Sequence, residues 1–134
     1  VYDAGHGNNY WTSSAFYTTG TIYATSTITQ NSDVRLKENI VQIDSALEKV
    51  NQMRGVTYDR IDTGESGVGV IAQELELIAP ELIHIAEPKN FDKKDSEEWN
   101  DYKSVAYGNL TAYLIEAVKE LTEKVDKLER QLGG

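Results

Sequence analysis

Six apolar residues towards the end of the chain, Leu114, Val118, Leu121, Val125, Leu128 and Leu132, are spaced 4, 3, 4, 3 and 4 residues apart. That alternation is the a/d seam of a coiled coil. The flanks are charged: Glu116, Lys119, Glu120, Glu123, Lys124, Asp126, Lys127, Glu129 and Arg130. A stripe of two positions in seven is narrower than the face a helix buries on a globular core. The spacing therefore predicts a long helix over about residues 109–132 that associates with copies of itself. Docking of a single helix on its own domain is the alternative. Asn109 is placed to cap its start, and Gly133-Gly134 ends it. Leucine and valine at the seam do not choose between two strands and three.

Upstream the chain changes character near residue 31. Residues 10–30, YWTSSAFYTTGTIYATSTITQ, contain no acidic or basic side chain, and Ile22 and Ile28 are the large aliphatics. β-Branched and aromatic residues favour strands, yet so little apolar area cannot fold alone. The segment reads as a strand that pairs with copies of itself in a fibre, rather than as a disordered tail. Residues 1–9 read as loop.

After residue 31 the text is that of a globular protein. Ile43, Leu47, Val50 and Met53 recur at helical spacing, with Ser45 and Glu48 at capping-box spacing, Asp44 as a second cap and Gly55 as a stop. Val56-Thr57-Tyr58 reads as a strand and DTGESG as a turn. Val68 to Ile78 reads as one apolar helical stretch carrying Ile71, Leu75 and Ile78, halted by Pro80. Leu82 to Ala86 reads as a strand, and charged residues 87–103 as an exposed excursion. The fold class expected is α+β: a small mixed domain of short strands and helices plus a long coiled-coil helix, with a β-fibre segment in front.

Composition narrows the chemistry. Cysteine is absent, which excludes disulfides and thiolate metal sites. The formal net charge of −9 argues against nucleic-acid partners. The densest basic cluster, Lys89, Lys93 and Lys94, is interleaved with Asp92, Asp95, Glu97 and Glu98. No apolar run is long enough to span a membrane, and residues 1–20 lack a signal-peptide plan. The glycines Gly64, Gly67 and Gly69 do not have phosphate-loop spacing. With 22 acidic residues some carboxylate pair is inevitable, so a glycosidase reading has no specific support.

A nucleophile is available at the composition boundary, in Asn31-Ser32-Asp33-Val34-Arg35-Leu36-Lys37-Glu38-Asn39-Ile40. A serine needs a base to remove its proton. His6 lies in the leading loop and His84 in an apolar run, so a histidine-based triad is unsupported. Lys37 is the alternative base, five residues after Ser32. Along an extended strand the two would stand about 16 Å apart, and on a helix they would face different ways. Either the chain bends between them or a neighbouring subunit supplies the lysine. By spacing alone such a pair is commonplace on protein surfaces.

The run SDVRLKENI resembles the start of the intramolecular chaperone domain found in phage endosialidases, tail fibres and neck appendages. Gly69-Val70-Ile71-Ala72-Gln73-Glu74-Leu75-Glu76, followed by Pro80-Glu81-Leu82, resembles that family's next helix. Tyr102-Lys103-Ser104-Val105-Ala106-Tyr107 resembles its strand-then-helix ending, and the heptads its trimeric coiled coil. The resemblance spans residues 32–134 and implies a homotrimer that registers three copies of a client fibre segment, residues 1–31, and then cuts itself away. It implies Ser32 as nucleophile and Lys37 as its activator. The scissile bond would join Asn31 and Ser32, and Asp33, Arg35 and Asn39 would support the motif. It implies a trimer seam at Leu114, Val118, Leu121, Val125, Leu128 and Leu132. No cofactor or metal is implied, and the partners are the client segment and the other two chains, not nucleic acid or membrane. The precursor would be made in the host cytoplasm, with the mature fibre in the virion and the chaperone released. A trimerisation domain that never cleaves is the alternative.

Overall fold

The computed structural model describes residues 16, 18, 20–85 and 102–133. The chain divides into two compact units, Val1–Ile40 and Val41–Gly134.

In the first unit, the described residues up to 33 form no helix or strand. Strand pairing needs a second strand, and none stands beside them among the described residues. The earlier part of the expected fibre segment, His6 included, lies outside the described residues. The one regular element among the described residues of this unit is a 3-10 turn at Val34–Leu36.

In the second unit, helix α1, Ala46–Gln52, comes first. The capping box expected at Ser45 and Glu48 is not what starts it. Ser45 sits in the left-handed region at φ 50° and its side chain makes no capping bond, whereas a capping residue is normally extended. The two leading amides are taken from a distance instead. Ala46 N–H donates to Glu120 Oε1 at 3.2 Å and Leu47 N–H to Glu120 Oε2 at 2.6 Å. The helix stops at Gln52 with Met53 extended, ahead of Gly55.

Strands β1, Val56–Asp59, and β2, Ser66–Gly69, form an antiparallel hairpin with Val56 opposite Gly69 and Asp59 opposite Ser66. The turn between them needs a left-handed residue, and Gly64 supplies it at φ 72°. The single helical stretch expected over Val68–Ile78 is split. Val68 and Gly69 pair across the hairpin, and helix α2 covers only Ala72–Glu76. Ladder bonds to β1 outweigh the local helical period of the apolar residues. Pro80 opens a further 3-10 turn, Pro80–Leu82, after α2 has already ended. Strands β3, Ile83–Ile85, and β4, Lys103–Val105, form a second antiparallel pair, with Ile83 opposite Val105. Lys103 thus belongs to a strand and not to the excursion expected over 87–103, most of which lies outside the described residues. His84 is an exposed strand residue opposite Ser104.

A 3-10 turn at Tyr107–Asn109 leads into helix α3, Leu110–Gly133. Asn109 closes that turn. The core gathers Leu75, Ala79, Leu82 and Tyr113, with Ile43, Val50, Met53, Ile83 and Val105 packed on it. Full burial of a leucine such as Leu75 or Leu82 stabilises by about 1.5–3 kcal/mol. The face of α3 that docks is carried by Tyr113 and Ala117, which are 5 % and 4 % exposed. The Lys49 ammonium lies 5.8 Å from the Tyr113 ring centroid.

Candidate functional site

The six heptad residues of α3 lie elsewhere on the helix. At 3.6 residues per turn, Tyr113 and Ala117 sit about 60–100° round from the Leu114 line. Leu114, Val118, Leu121, Val125, Leu128 and Leu132 are between 44 % and 88 % exposed in the single chain. The helix therefore uses one face to close its own domain and presents the seam on another. The alternative expectation, a helix docked on its own domain, holds for the Tyr113 and Ala117 face, and the heptad residues stay exposed beside it.

The residues singled out around position 32 are brought together by the turn at Val34–Leu36. Asp33 begins it: Asp33 Oδ1 accepts from the Arg35 backbone N–H at 2.8 Å, as an N-cap does. Two backbone bonds complete it, Leu36 N–H to Asp33 C=O at 3.0 Å and Lys37 N–H to Val34 C=O at 3.1 Å. The chain thereby doubles back, and the Lys37 Nζ donates to Ser32 Oγ at 2.6 Å. The contact is made within one chain. Both residues are exposed.

A serine hydroxyl and a lysine amine within hydrogen-bond reach form the minimal nucleophile–base unit. As an ammonium the lysine donates to Oγ. As a neutral amine it takes the hydroxyl proton instead, which turns Oγ into an attacking group. Asn31, whose carbonyl precedes Ser32, is also exposed.

Asp33 and Arg35, which the sequence marks without assigning a contact, grip each other. Arg35 Nε donates to Asp33 Oδ1 at 3.0 Å and Arg35 Nη2 to Oδ2 at 2.9 Å, a fork-to-fork pair. The Arg35 guanidinium, then its backbone N–H, holds the Asp33 carboxyl below the usual carboxylate range. The carboxylate in turn raises Arg35. Asn39 follows the turn at φ 52°, a left-handed conformation that asparagine tolerates better than most residues.

Glu120 is the residue that sequence reading most undervalued. Its place on the charged flank of a heptad marks it as solvated, whereas it joins α3 to the start of α1. Nearby, Glu116 accepts from Gln42 at 2.9 Å and from Lys119 at 3.1 Å. Those two bonds hold its carboxyl below the ordinary range.

Residues 32–84 match the family described as chaperone of endosialidase. The chain is also similar to long tail fiber protein Gp37 of several phages. It is 33 % identical to that of Enterobacteria phage K3 over 106 residues, which make up 75 % of this chain and 8 % of the relative. The same identity holds for Enterobacteria phage T2, over 75 % of this chain and 7 % of the relative. For Enterobacteria phage M1 the identity is 31 % over 108 residues, 75 % of this chain and 39 % of the relative. The chain thus spans less than a tenth of the first two relatives.

Proposed function

The chain carries the chaperone domain of phage fibre proteins, and from that premise we propose that it trimerises, registers a fibre segment and then releases itself by cutting the Asn31–Ser32 bond. The observation that carries the cutting step is the 2.6 Å hydrogen bond between Lys37 and Ser32. It stands where the family match begins, at residue 32.

The reaction is an N-to-O acyl shift followed by hydrolysis. Lys37, as the neutral amine, takes the Ser32 hydroxyl proton while Oγ attacks the Asn31 carbonyl carbon. The C–O bond forms, the C–N bond to Ser32 breaks, and the proton passes from Lys37 to the departing Ser32 amine. Water then hydrolyses the ester, leaving a carboxylate on Asn31 and a free hydroxyl and amine on Ser32. The enzyme is a single-turnover serine endopeptidase acting on its own chain, with a Ser32–Lys37 dyad.

Trimerisation rests on the exposed seam of α3, which has apolar residues at heptad spacing that the single chain leaves largely open to solvent. The need for it is physical. Strands shared between three chains require long-range registration before any contact is rewarded, which is entropically slow. Tethering each strand to a self-associating helix raises its effective concentration to roughly millimolar. Cutting the tether then leaves the fibre, a virion part, kinetically trapped. Residues 1–31 would be the client segment and 32–134 the chaperone.

The test is a denaturing gel of freshly made protein with mass spectrometry of the fragments. The wild-type chain should give two pieces that meet at Asn31–Ser32, and Ser32→Ala or Lys37→Ala should give one. A wild-type chain that is folded, trimeric and still whole would end the protease reading and leave a non-cleaving trimerisation domain.

A further inference from the structure

We infer that Asp33 and Arg35 form a clamp that positions Lys37 on Ser32, so that they are positioning residues of the self-cleavage reaction rather than surface charges. The inference rests on the Ser32–Lys37 reading above and adds to it the part that makes the bend.

Three bonds converge on one carboxylate. Asp33 Oδ1 accepts from the Arg35 backbone N–H and from Arg35 Nε, and Oδ2 accepts from Arg35 Nη2. The backbone bond caps the 3-10 turn, and the two side-chain bonds lock the rotamers of both residues. Only two further backbone hydrogen bonds belong to the turn, Leu36 to Asp33 and Lys37 to Val34. No residue of the turn is buried. Val34 and Leu36 are each 69 % exposed, so packing within the chain does little to fix it. A three-residue turn without a core is marginal by itself. The turn sets where Lys37 leaves the backbone, and Lys37 must leave it pointing back at residue 32.

The Arg35 and Asp33 side chains are 86 % and 44 % exposed. Exposed ion pairs contribute little to global stability. The clamp's effect is therefore on the population of one local geometry, and through it on a rate. Small displacements of a reacting pair are costly in rate even when folding is unaffected.

The test compares Asp33→Ala, Asp33→Asn and Arg35→Ala with the wild-type chain in a pulse-labelled cell-free synthesis. Cleavage is followed by denaturing gel, and trimer formation by native gel of the same samples. In parallel, amide hydrogen exchange at Leu36 and Lys37 is measured in each variant on a Ser32→Ala background, which keeps the chain whole. Loss of the cap in Asp33→Ala should slow cleavage about tenfold at every pH from 6 to 9 and speed amide exchange by a similar factor, with trimer yield unchanged. Asp33→Asn keeps an acceptor for the Arg35 N–H and should recover most of the rate. Arg35→Ala should fall between. Faster exchange with unaltered cleavage would overturn the positioning role, and so would unaltered exchange in Asp33→Ala. A factor that varies with pH would also overturn it, since that would mean Asp33 acts on the proton transfer itself. If the wild-type chain stays whole while its exchange pattern is as described, the cleavage reading fails, and the clamp's role in it fails with it.

Discussion

A serine and a lysine five residues apart are not closed by any regular element, and the residues between them decide whether they meet. The charge state of Asp33 is part of that decision. Its carboxyl is held below the ordinary range by Arg35, so it binds a proton less readily in the turn than in an unfolded chain. Acidification therefore favours the opened turn. The contribution is complete above the ordinary carboxylate range and is lost as the pH falls through the lowered value. In a Ser32→Ala chain, the carboxyl carbon of Asp33 should titrate below that of the same residue in a short Ser-Asp-Val-Arg peptide. Arg35→Ala should move it back to the peptide value. A midpoint at the peptide value in the parent chain would mean that the pair is not formed in solution. The types Ser32, Asp33, Arg35 and Lys37 were legible in the sequence as a group. The Asp33–Arg35 pair was not, nor was whether Lys37 meets Ser32 within one chain, because both depend on a turn whose exposed residues leave no hydrophobic pattern.

Among the elements, hydrophobic periodicity located α1, α2 and α3, and the glycines at the end of α3 mark its stop at Gly133, but the local signals misplaced the cap of α1 and the bounds of α2. At α1 the sequence offers a capping serine, and the fold uses a carboxylate 74 residues away. A sequence pattern of local spacing has no means of seeing such a partner. Two substitutions separate the cases. Glu120→Ala removes both acceptors of the leading amides and should lower stability by about 1 kcal/mol, as loss of a cap does. Ser45→Ala should change the thermal midpoint very little, since that hydroxyl makes no capping bond. Thermal unfolding of the two variants side by side checks this, and an equal loss in both would return the cap to Ser45. The split of Val68–Ile78 has a similar origin. Gly69 closes the hairpin ladder opposite Val56 and lies so near the Tyr107 hydroxyl that a Cβ there would collide with it. Tyr107 in turn accepts from Val70 N–H at 3.0 Å. That contact ties β2 to the entry of α3, and it decides the end of the strand more firmly than the apolar period decides the start of a helix.

At the scale of the whole molecule, the long helix docks on its own domain by one face, and the association proposed for its heptad residues can be broken separately from that docking. Tyr113 and Ala117 hold it to its own domain, while the leucine and valine seam stays exposed. Tyr113→Ala should therefore unfold the domain or loosen it severely, at about 3–5 kcal/mol for a buried aromatic. A Leu121→Asp, Leu128→Asp chain removes no buried side chain, so it should keep its helix content and its thermal transition at low concentration. It should also sediment as a monomer. The proposed dyad adds a further expectation. Lys37 already reaches Ser32 within one chain, so assembly is not needed to bring the proposed nucleophile and base together. Both groups are exposed there. Exclusion of water from a reacting pair strengthens the electrostatic interactions within it. What association would add is removal of that water. The double variant should accordingly stay uncut although its Ser32, Asp33, Arg35 and Lys37 are untouched, and the wild-type chain should be cut only as trimer accumulates. Time courses of cleavage at two protein concentrations test the order. A rate independent of concentration, matched by a monomeric variant that still cuts, would place the whole reaction inside the single chain and leave the seam with registration alone.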